Sequence, residues 1–348
     1  MKKVFISGNK AFAEGAIYAG CRYYYGVPRS INNEILKYMS VRMPEVNGVF
    51  TQSENERSAI SMVLGSSVAG ARVLTSSITD GISAMDEVLN YMCGLELPCV
   101  VGNIMSGKFG LKNLEPTQSG YAQAVKSNLS GYSKFIVLAP HTVQETYQLT
   151  AKAFDLADKY RNPVIVLMDS ALAQLNEQIE IEENLLSPEI VKKDWKVGNN
   201  ENNKNFNVFK SYHDDESNKY TDILAKFKLI ESESLYESFM VEDADEIIIS
   251  FGLIAKIAKG IVINERQKGR KIGLFRPISL SPFPKEALRS IANKVNKITV
   301  LESNSGSMYS DVCKILDNNK KISFFGESEY LSGFRKVIKE FEKGIVTV

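Results

Sequence analysis

Polar side chains occur in the N-terminal half of the sequence at three places where a helix is expected to begin. Glu56 is the most informative of them, because it opens a segment rich in small residues that would let a ring or another backbone approach closely. Its carboxylate could bind a protonated ring nitrogen. The alternative is that Glu56 only stabilises the dipole of the helix that follows it.

The other two places offer groups for an anion or a small polar ligand. Arg29 and Ser30 follow Pro28 ahead of an expected helix, and a helix N-terminus with a hydroxyl and an arginine beside it favours anions. Thr75–Ser83 is a polar loop between a strand and a helix, but it lacks the GxxxxGK pattern of a nucleotide-phosphate loop. For both segments, an ordinary capped turn is the alternative.

Histidine and cysteine are too sparse to favour two other kinds of site. The chain has two histidines, His141 and His213, which argues against a Ser-His-Asp hydrolase. Its four cysteines include no pair with the CxxC spacing of zinc or iron–sulfur sites, so buried reduced thiols are the simpler interpretation. We therefore predict no metal site in this chain, and chemistry that depends on carboxylates, backbone groups or a bound cofactor.

The elements that must position these residues alternate between short apolar strands and helix-length segments. Several strands lack polar alternation, which is typical of strands buried on both faces of a parallel sheet. The expected strands are Val4–Ile6, Gly48–Thr51, Arg72–Thr75, Cys99–Gly102, Phe135–Leu138 and Val164–Leu167, and the expected helices are Lys10–Tyr24, Glu56–Ala71 and Thr142–Tyr160. This alternation predicts an α/β fold with a doubly wound parallel sheet over residues 1–175, and a ligand site at the carboxyl ends of its strands.

The rest of the chain is predicted to form a connection and a smaller α/β domain. Residues 176–243 lose the pattern and include the Asn-rich run Asn199–Asn205, so we expect an extended linker with one helix near 222–230. Strands and helices alternate again over residues 244–348. The expected strands there are 246–252, 271–275, 297–301 and 321–325.

Composition indicates an ordinary globular protein and gives no sign of a nucleic-acid or membrane partner. Of 348 residues, 44% are hydrophobic and 24% are charged, and the net charge of +1 offers no broad field to attract nucleic acid or an anionic membrane. The apolar run that begins at Val4 is interrupted at Gly8, which makes it too short for a signal peptide. We therefore expect a cytoplasmic protein.

Taken in order, these segments resemble the α subunit of 2-oxoacid:ferredoxin oxidoreductases, a family that includes the pyruvate and 2-oxoglutarate enzymes. The resemblance covers nearly the whole chain apart from the Asn-rich run. Its main motifs are Gly26-x-Pro28, Glu54-x-Glu56, Gly65 to Gly70, Gly81, Pro116-x-Gln118, Arg276–Pro284 and Glu302-x-Asn304-x-Gly306.

The resemblance implies a thiamine-diphosphate enzyme that oxidatively decarboxylates a 2-oxoacid to an acyl-CoA. This chain would carry the pyrimidine-type cofactor domain, followed by a transketolase-C-terminal-like domain. Glu56, nine residues before Gly65, stands where the family places the catalytic glutamate that faces the aminopyrimidine ring, and Gly81 and Pro28 would line the same cofactor site. The carboxylate would hydrogen-bond to ring atom N1′ and favour the imino tautomer, which can accept the thiazolium C2 proton.

The resemblance also implies partner subunits. The diphosphate and Mg²⁺ would lie mainly on a β subunit, and this chain indeed has no Gly-Asp-Gly motif with a following Asn. Iron–sulfur clusters would belong to partners, with ferredoxin-like and γ subunits expected, and CoA would be a substrate of the complex.

Departures from the family pattern concentrate on the expected substrate face. The family's Tyr-Pro-Ile-Thr-Pro turn is Val27–Ile31 here, with Ser30 in place of the substrate-binding threonine. Met105 stands where an arginine of the family pairs with the substrate carboxylate. Arg29 and Lys108 are the candidates for the missing positive charge. We therefore expect an unusual 2-oxoacid substrate.

Two other functions stay open on the sequence. A split decarboxylase or carboligase of the transketolase type would keep the cofactor but would have no redox step and no Cys-rich partner. A non-catalytic scaffold subunit would explain the altered 105–111 loop, and Glu56 would then be dispensable.

Overall fold

Strands and helices alternate along most of the chain in the computed structural model, which describes residues 1–29, 33–105, 117–126, 133–182, 193, 195–197, 216–316 and 322–326. The strands are β1 (Lys2–Ser7), β2 (Tyr23–Gly26), β3 (Val49–Gln52), β4 (Val73–Ile78), β5 (Cys99–Met105), β6 (Ile136–Leu138), β7 (Pro163–Asp169), β8 (Asn176–Ile181), β9 (Tyr236–Phe239), β10 (Glu246–Ile249), β11 (Ile272–Pro277), β12 (Ser279–Ser281), β13 (Lys297–Glu302) and β14 (Ile322–Gly326). The helices are α1 (Gly8–Tyr18), α2 (Asn33–Glu45), α3 (Glu56–Val68), α4 (Thr79–Ser83), α5 (Asp86–Gly94), α6 (Gly120–Lys126), α7 (Val143–Tyr160), α8 (Ser170–Gln174), α9 (Glu216–Ile230), α10 (Gly252–Gln267), α11 (Lys285–Ala292) and α12 (Ser307–Ile315). Within the described ranges, no helix has the length and apolar character needed to cross a bilayer.

A seven-stranded sheet forms the core of the N-terminal part. Its strand order is β12-β6-β7-β5-β4-β2-β3, and every neighbouring pair is parallel except β12 with β6. Strands β5 and β7 are buried along their whole length, as expected of parallel strands that helices cover on both faces. The doubly wound parallel sheet predicted from the sequence is therefore confirmed.

The chain changes direction across this sheet at β2. From β2 it proceeds through α2 to β3 on one side, whereas from β4 it proceeds to β5 on the other side. Loops that leave neighbouring strands in opposite directions open a crevice at the carboxyl ends of those strands, and this is where open α/β sheets bind ligands. In this chain the crevice lies between the ends of β2 and β4.

The C-terminal part contains a second sheet of five strands, in the order β14-β13-β10-β11-β9. Its neighbours are parallel except β9, which pairs antiparallel with β11. Its four parallel strands lie where the sequence predicts strands. The C-terminal part contributes one strand to the first sheet. β12 follows β11 closely in sequence, yet it pairs with β6 at the edge of that sheet.

Two buried polar contacts also connect the parts. The Gln118 side chain donates from Nε2 to the Phe251 carbonyl oxygen at 3.0 Å and accepts at Oε1 from the Ser303 backbone nitrogen at 3.1 Å. Elsewhere, Arg276 of β11 donates from both Nη atoms to the Glu145 carboxylate on α7, at 3.0 and 2.9 Å. Charged and polar groups thus fix the second part against the first.

The first strand differs from its prediction as a buried strand of the main sheet. β1 pairs antiparallel with β8 in a separate two-stranded sheet, and Phe5 at its centre is 72% exposed. Val4 and Ile6 point to the opposite face and pack against buried residues. A run of three apolar residues is too short to distinguish this one-sided strand from a strand covered on both faces.

A strand also replaces the end of the helix expected over Lys10–Tyr24. Helix α1 ends at Tyr18, and Gly20 adopts a left-handed conformation with φ +80° that ends helices readily. The three tyrosines that follow have the aromatic character that suits a strand, and they form β2. Two further strands, β8 and β9, lie in the stretch predicted as a linker, whereas Asn199–Asn205 lies outside the described residues.

Candidate active site

Three segments converge at the crevice between β2 and β4. Arg29 follows the end of β2, Glu56 begins the helix that follows β3, and Ser77 lies near the end of β4. These strands are hydrogen-bonded neighbours, so their carboxyl ends lie side by side. Each of the three polar segments that the sequence singles out therefore contributes one residue to the crevice.

Glu56 is placed by the start of α3. The Asn55 side chain accepts a hydrogen bond from the Ser58 backbone nitrogen at 2.9 Å and so caps the helix N-terminus. Glu56 is the first residue of the helix, and it is only 3% exposed. A buried carboxylate needs hydrogen-bond donors or a cation beside it, because leaving water costs it free energy.

Both kinds of partner are present. Arg29 donates from Nε to Glu56 Oε1 at 2.7 Å, and Ser77 donates from Oγ to the same oxygen at 3.2 Å. Burial alone would raise the pKa of Glu56, but the hydrogen bond from Arg29, a hydrogen bond from the Glu56 backbone, the charge of Arg29 and the hydrogen bond from Ser77 together lower that pKa below its ordinary value. Glu56 is therefore ionised at neutral pH.

Gly81 closes the side of the site next to Oε1. A Cβ atom at this position would lie 2.1 Å from Ser77 Oγ and 2.6 Å from Glu56 Oε1, both far inside contact distance. The close approach of α4 to the carboxylate therefore requires glycine. Gly81 thus fixes where the hydroxyl and the carboxylate can lie.

Ser53 adds a hydroxyl to this region that sequence reasoning did not single out. It follows β3, three residues before Glu56, and its backbone nitrogen donates to the Gly26 carbonyl oxygen at 2.9 Å. The side chain is buried, and Oγ has no hydrogen-bond partner among the described residues. A buried hydroxyl in this state has hydrogen-bonding capacity for a ligand.

The other residues named from the sequence are only partly placed. Pro28 and Arg29 lie beside each other at the end of β2, and both are exposed. Ser30 and Lys108 lie outside the described residues. Ser77 belongs to the polar segment that the sequence indicated, but only the fold shows that its hydroxyl reaches Glu56.

Met105 is the residue that, by the resemblance, stands where the family has an arginine. It ends β5 and is fully buried. A Cβ on Gly120 would lie 2.8 Å from Met105 Cγ, so the side chain packs tightly against α6. This position cannot supply a cation.

Two family profiles match the sequence. Residues 14–224 match the thiamine-diphosphate-binding domain of pyruvate flavodoxin/ferredoxin oxidoreductase, and this match covers more than half of the chain. The chain belongs to the 2-oxoacid:ferredoxin oxidoreductase family. Residues 244–329 match core domain II of pyruvate:ferredoxin oxidoreductase. The family resemblance, the oxidoreductase class and thiamine diphosphate as cofactor are therefore confirmed.

Similar proteins include named subunits of such enzymes. The ketoisovalerate oxidoreductase subunit VorB of Methanothermobacter marburgensis is 40% identical over 319 residues, which cover 90% of this chain and 89% of that subunit. The 2-oxoglutarate synthase subunit KorA of Methanocaldococcus jannaschii is 29% identical over 350 residues, which cover 92% of this chain and 94% of KorA. These relatives are subunits, so partner subunits are part of the family's organisation.

Two solved structures share the fold. The 2-oxoglutarate:ferredoxin oxidoreductase of Magnetococcus marinus superposes with a TM-score of 0.83 at 20% identity over 98% of this chain. This chain spans 65% of that longer chain. A split-gene transketolase, described as an inactive β4 tetramer, gives a TM-score of 0.60 at 14% identity over 97% of both chains. The predicted fold class, with its transketolase-like arrangement, is confirmed by these likenesses.

Proposed function

We propose that this chain is the α-type subunit of a complex that oxidatively decarboxylates a 2-oxoacid to an acyl-CoA, and that Glu56 is its catalytic carboxylate. The observation that carries the proposal is the ionised, buried Glu56 at the crevice of the sheet, with Arg29 and Ser77 both bonded to one carboxylate oxygen. The family resemblance points to the same residue, and its burial and hydrogen bonds fit the task.

The residues at the crevice fit one end of thiamine diphosphate. When bound, this cofactor supplies the carbon nucleophile and the electron sink for decarboxylation. Arg29 and Ser77 both donate to Oε1, so Glu56 Oε2 is the oxygen we assign to ring atom N1′. The Ser53 hydroxyl is a further donor or acceptor for the ring, and Gly81 and Pro28 would border it.

The Glu56 carboxylate would act through its charge. An ionised carboxylate stabilises a proton on N1′, because opposite charges attract strongly where water is excluded. Arg29 keeps Glu56 ionised in the absence of the ring, so the site is already charged for this role. Preorganised charge of this kind needs no rearrangement at the moment of reaction.

The substrate face is assigned to three residues. We propose that Arg29, Ser30 and Lys108 bind the 2-oxoacid, with Arg29 placed at the exposed side of Glu56. Buried Met105 leaves this role to a cation elsewhere. The 40% identity with a ketoisovalerate oxidoreductase subunit makes 2-oxoisovalerate the first substrate to test, followed by 2-oxoglutarate and pyruvate.

Partner subunits would supply the remaining groups. We propose that a β subunit holds the diphosphate and Mg²⁺, and that iron–sulfur clusters lie on ferredoxin-like and γ subunits. The four cysteines of this chain are all described, unpaired and, apart from Cys313, buried. Unpaired buried thiols also suit a reducing compartment, so we propose a cytoplasmic location.

The experiment is reconstitution of the chain with the subunits that co-purify with it. We expect CoA-dependent reduction of a ferredoxin or viologen by at least one of the three 2-oxoacids. Glu56→Gln should abolish this reduction, whereas Glu54→Gln, a substitution at an exposed position two residues away, should retain it. Activity that survives Glu56→Gln would contradict the assignment of the catalytic carboxylate. Decarboxylation without any electron transfer would indicate the split decarboxylase instead.

A further inference from the structure

Arg29 lies between the buried carboxylate and the open side of the crevice. Its Nε donates to Glu56 Oε1 at 2.7 Å, and its side chain is 44% exposed whereas that of Glu56 is 4% exposed. A guanidinium carries donors on three nitrogens, and Nε is only one of them. In the part of the chain that the structure describes, Nη1 and Nη2 of Arg29 donate to no acceptor.

The remaining Nη edge is suited to a carboxylate. The Nη1 and Nη2 groups of an arginine can donate two parallel hydrogen bonds to the two oxygens of one carboxylate. Among the described residues, Arg29 is the cation that pairs with Glu56. The guanidinium of Arg29 would therefore bridge two carboxylates, that of Glu56 at Nε and that of the ligand at the Nη groups.

We propose that Arg29 couples substrate binding to cofactor activation, by binding the substrate carboxylate through its Nη groups while its Nε stays on Glu56. This inference rests on the proposed function. It adds to that function a route by which the arrival of a substrate changes the charge that Glu56 experiences. Arg29 is thus a substrate-binding residue and also a positioning residue for Glu56.

The direction of the effect follows from the charges at the site. In the free site, Arg29 lowers the pKa of Glu56, and Asp80 is the other charged group that acts on Arg29. A substrate carboxylate on the Nη groups would partly compensate the guanidinium charge. The positive potential at Glu56 would then be weaker, and the pKa of its carboxyl group would rise. A more basic Glu56 holds a proton on the neighbouring ring nitrogen more strongly, so cofactor activation should be faster when a carboxylate is bound.

The test uses a carboxylate that cannot be decarboxylated. The probe is 2-hydroxy-3-methylbutanoate, and its uncharged counterpart is 2-hydroxy-3-methylbutanamide. In the assembled complex with thiamine diphosphate and Mg²⁺, the acid should accelerate hydrogen–deuterium exchange at the cofactor C2 by about 3- to 10-fold. The amide should not accelerate it. In Arg29→Met, exchange should not respond to the acid, whatever its starting rate.

A second measurement does not depend on the cofactor. Calorimetry on the complex without thiamine diphosphate should show that Arg29→Met weakens binding of 2-hydroxy-3-methylbutanoate by on the order of 10- to 10²-fold. Arg29→Lys retains the charge but not the planar guanidinium. Its affinity for the acid should therefore lie between those of the wild type and Arg29→Met. Arg57→Met removes an exposed arginine next to Glu56 in sequence and should match the wild type in both measurements.

The outcomes separate the two proposals. An Arg29→Met complex that binds the acid and responds to it like the wild type would overturn the coupling. So would wild-type exchange that proceeds normally but ignores the acid. If wild-type exchange is no faster than that of free thiamine diphosphate, the proposed function itself is wrong.

Discussion

At the scale of single residues, the site depends on a carboxylate that stays charged out of water. Burial opposes ionisation of Glu56, and Arg29 and Ser77 reverse that effect through one shared oxygen. The arrangement holds Oε1 of the carboxylate between Arg29 and Ser77 and so restricts the rotation of the group. The charge and the orientation of the Glu56 carboxylate can therefore be tested separately. One substitution should remove the charge, and another should displace the group.

Removal of the charge alone should abolish cofactor activation. Glu56→Gln keeps the size of the side chain but loses the negative charge that favours a protonated N1′. We expect C2 exchange in the assembled complex to fall by on the order of 10²–10³-fold, with thiamine-diphosphate affinity nearly unchanged. Glu54→Gln is the matched control and should lose far less. Wild-type exchange in Glu56→Gln would mean that another carboxylate activates the cofactor.

Displacement of the carboxylate should be as damaging as loss of its charge. In Gly81→Ala the new Cβ would collide with Glu56 Oε1 and Ser77 Oγ, so both must move. We expect a loss of at least 10-fold in C2 exchange, with overpacking that costs about 1–3 kcal/mol of stability. Gly65→Ala, in α3, is the control because its Cβ would meet no atom of the described chain within 4 Å. It should leave exchange unchanged and raise stability by about 0.5–1 kcal/mol. Normal exchange in Gly81→Ala would show that Oε1 is not held as described.

At the scale of elements, the start of α7 is where the second part attaches to the first. The Thr142 side chain accepts a hydrogen bond from the Glu145 nitrogen at 3.1 Å and so caps the helix. Burial would raise the pKa of the Glu145 carboxyl, but hydrogen bonds from His141 and Arg276 lower that pKa to about 2. Arg276 also donates from Nε to Glu237 of β9 at 2.8 Å, so one arginine joins three elements.

This ion pair should make the stability depend on pH. The folded-state pKa of Glu145 lies below its ordinary value of 4.5, so its stabilising contribution is complete above 4.5 and is lost as the pH falls towards 2. Glu145→Gln should therefore cost about 3–5 kcal/mol at pH 7 and clearly less at pH 3, measured from unfolding curves. Glu180→Gln removes a surface ion pair with Lys3 and should cost at most about 1 kcal/mol. An equal cost of Glu145→Gln at both pH values would contradict the assignment.

The sequence predicts the elements that have long apolar patterns and lie buried in the core. It also predicts some of the residues that begin or end those elements. The core strands β5 and β7 and the helix α7 lie where the sequence predicts them. β1 and β2 could not be assigned correctly, because short runs do not reveal which faces are covered. The position of Glu56 at the start of a helix could be predicted from the sequence. Its contacts with Arg29 and Ser77 could not, since they depend on which strands become neighbours.

At the scale of the whole molecule, the two parts contact each other directly through a shared sheet edge and buried hydrogen bonds. β12 completes an edge of the first sheet, and the Gln118 amide bonds both to Phe251 and to Ser303 of the second part. The second part therefore packs directly against the segment that contains Gln118.

The described residues include groups suited to the ring end of the cofactor in the site that we propose, and no cluster suited to a metal ion at its diphosphate end. Glu56, Ser53 and Gly81 suit a polar ring, whereas a diphosphate needs cations or a metal ion. Across the described residues, no group of three or more His, Cys, Asp or Glu side chains could hold a metal ion. A ring alone offers little binding free energy, so the diphosphate must contribute most of the affinity.

The isolated chain should therefore bind thiamine diphosphate weakly or not at all, and the chain with its β subunit should bind it tightly. Calorimetry in the presence of Mg²⁺ should show no saturable heat for the chain alone at cofactor concentrations that saturate the complex. The cofactor should likewise raise the melting temperature of the complex only, since a ligand at about 100 times its Kd stabilises the folded state by roughly 2.7 kcal/mol. Glu56→Gln in the complex should still bind, because we propose that the diphosphate contacts lie on the partner. Tight, Mg²⁺-dependent binding by the chain alone would place the diphosphate site on this chain and contradict the division of the cofactor between two subunits.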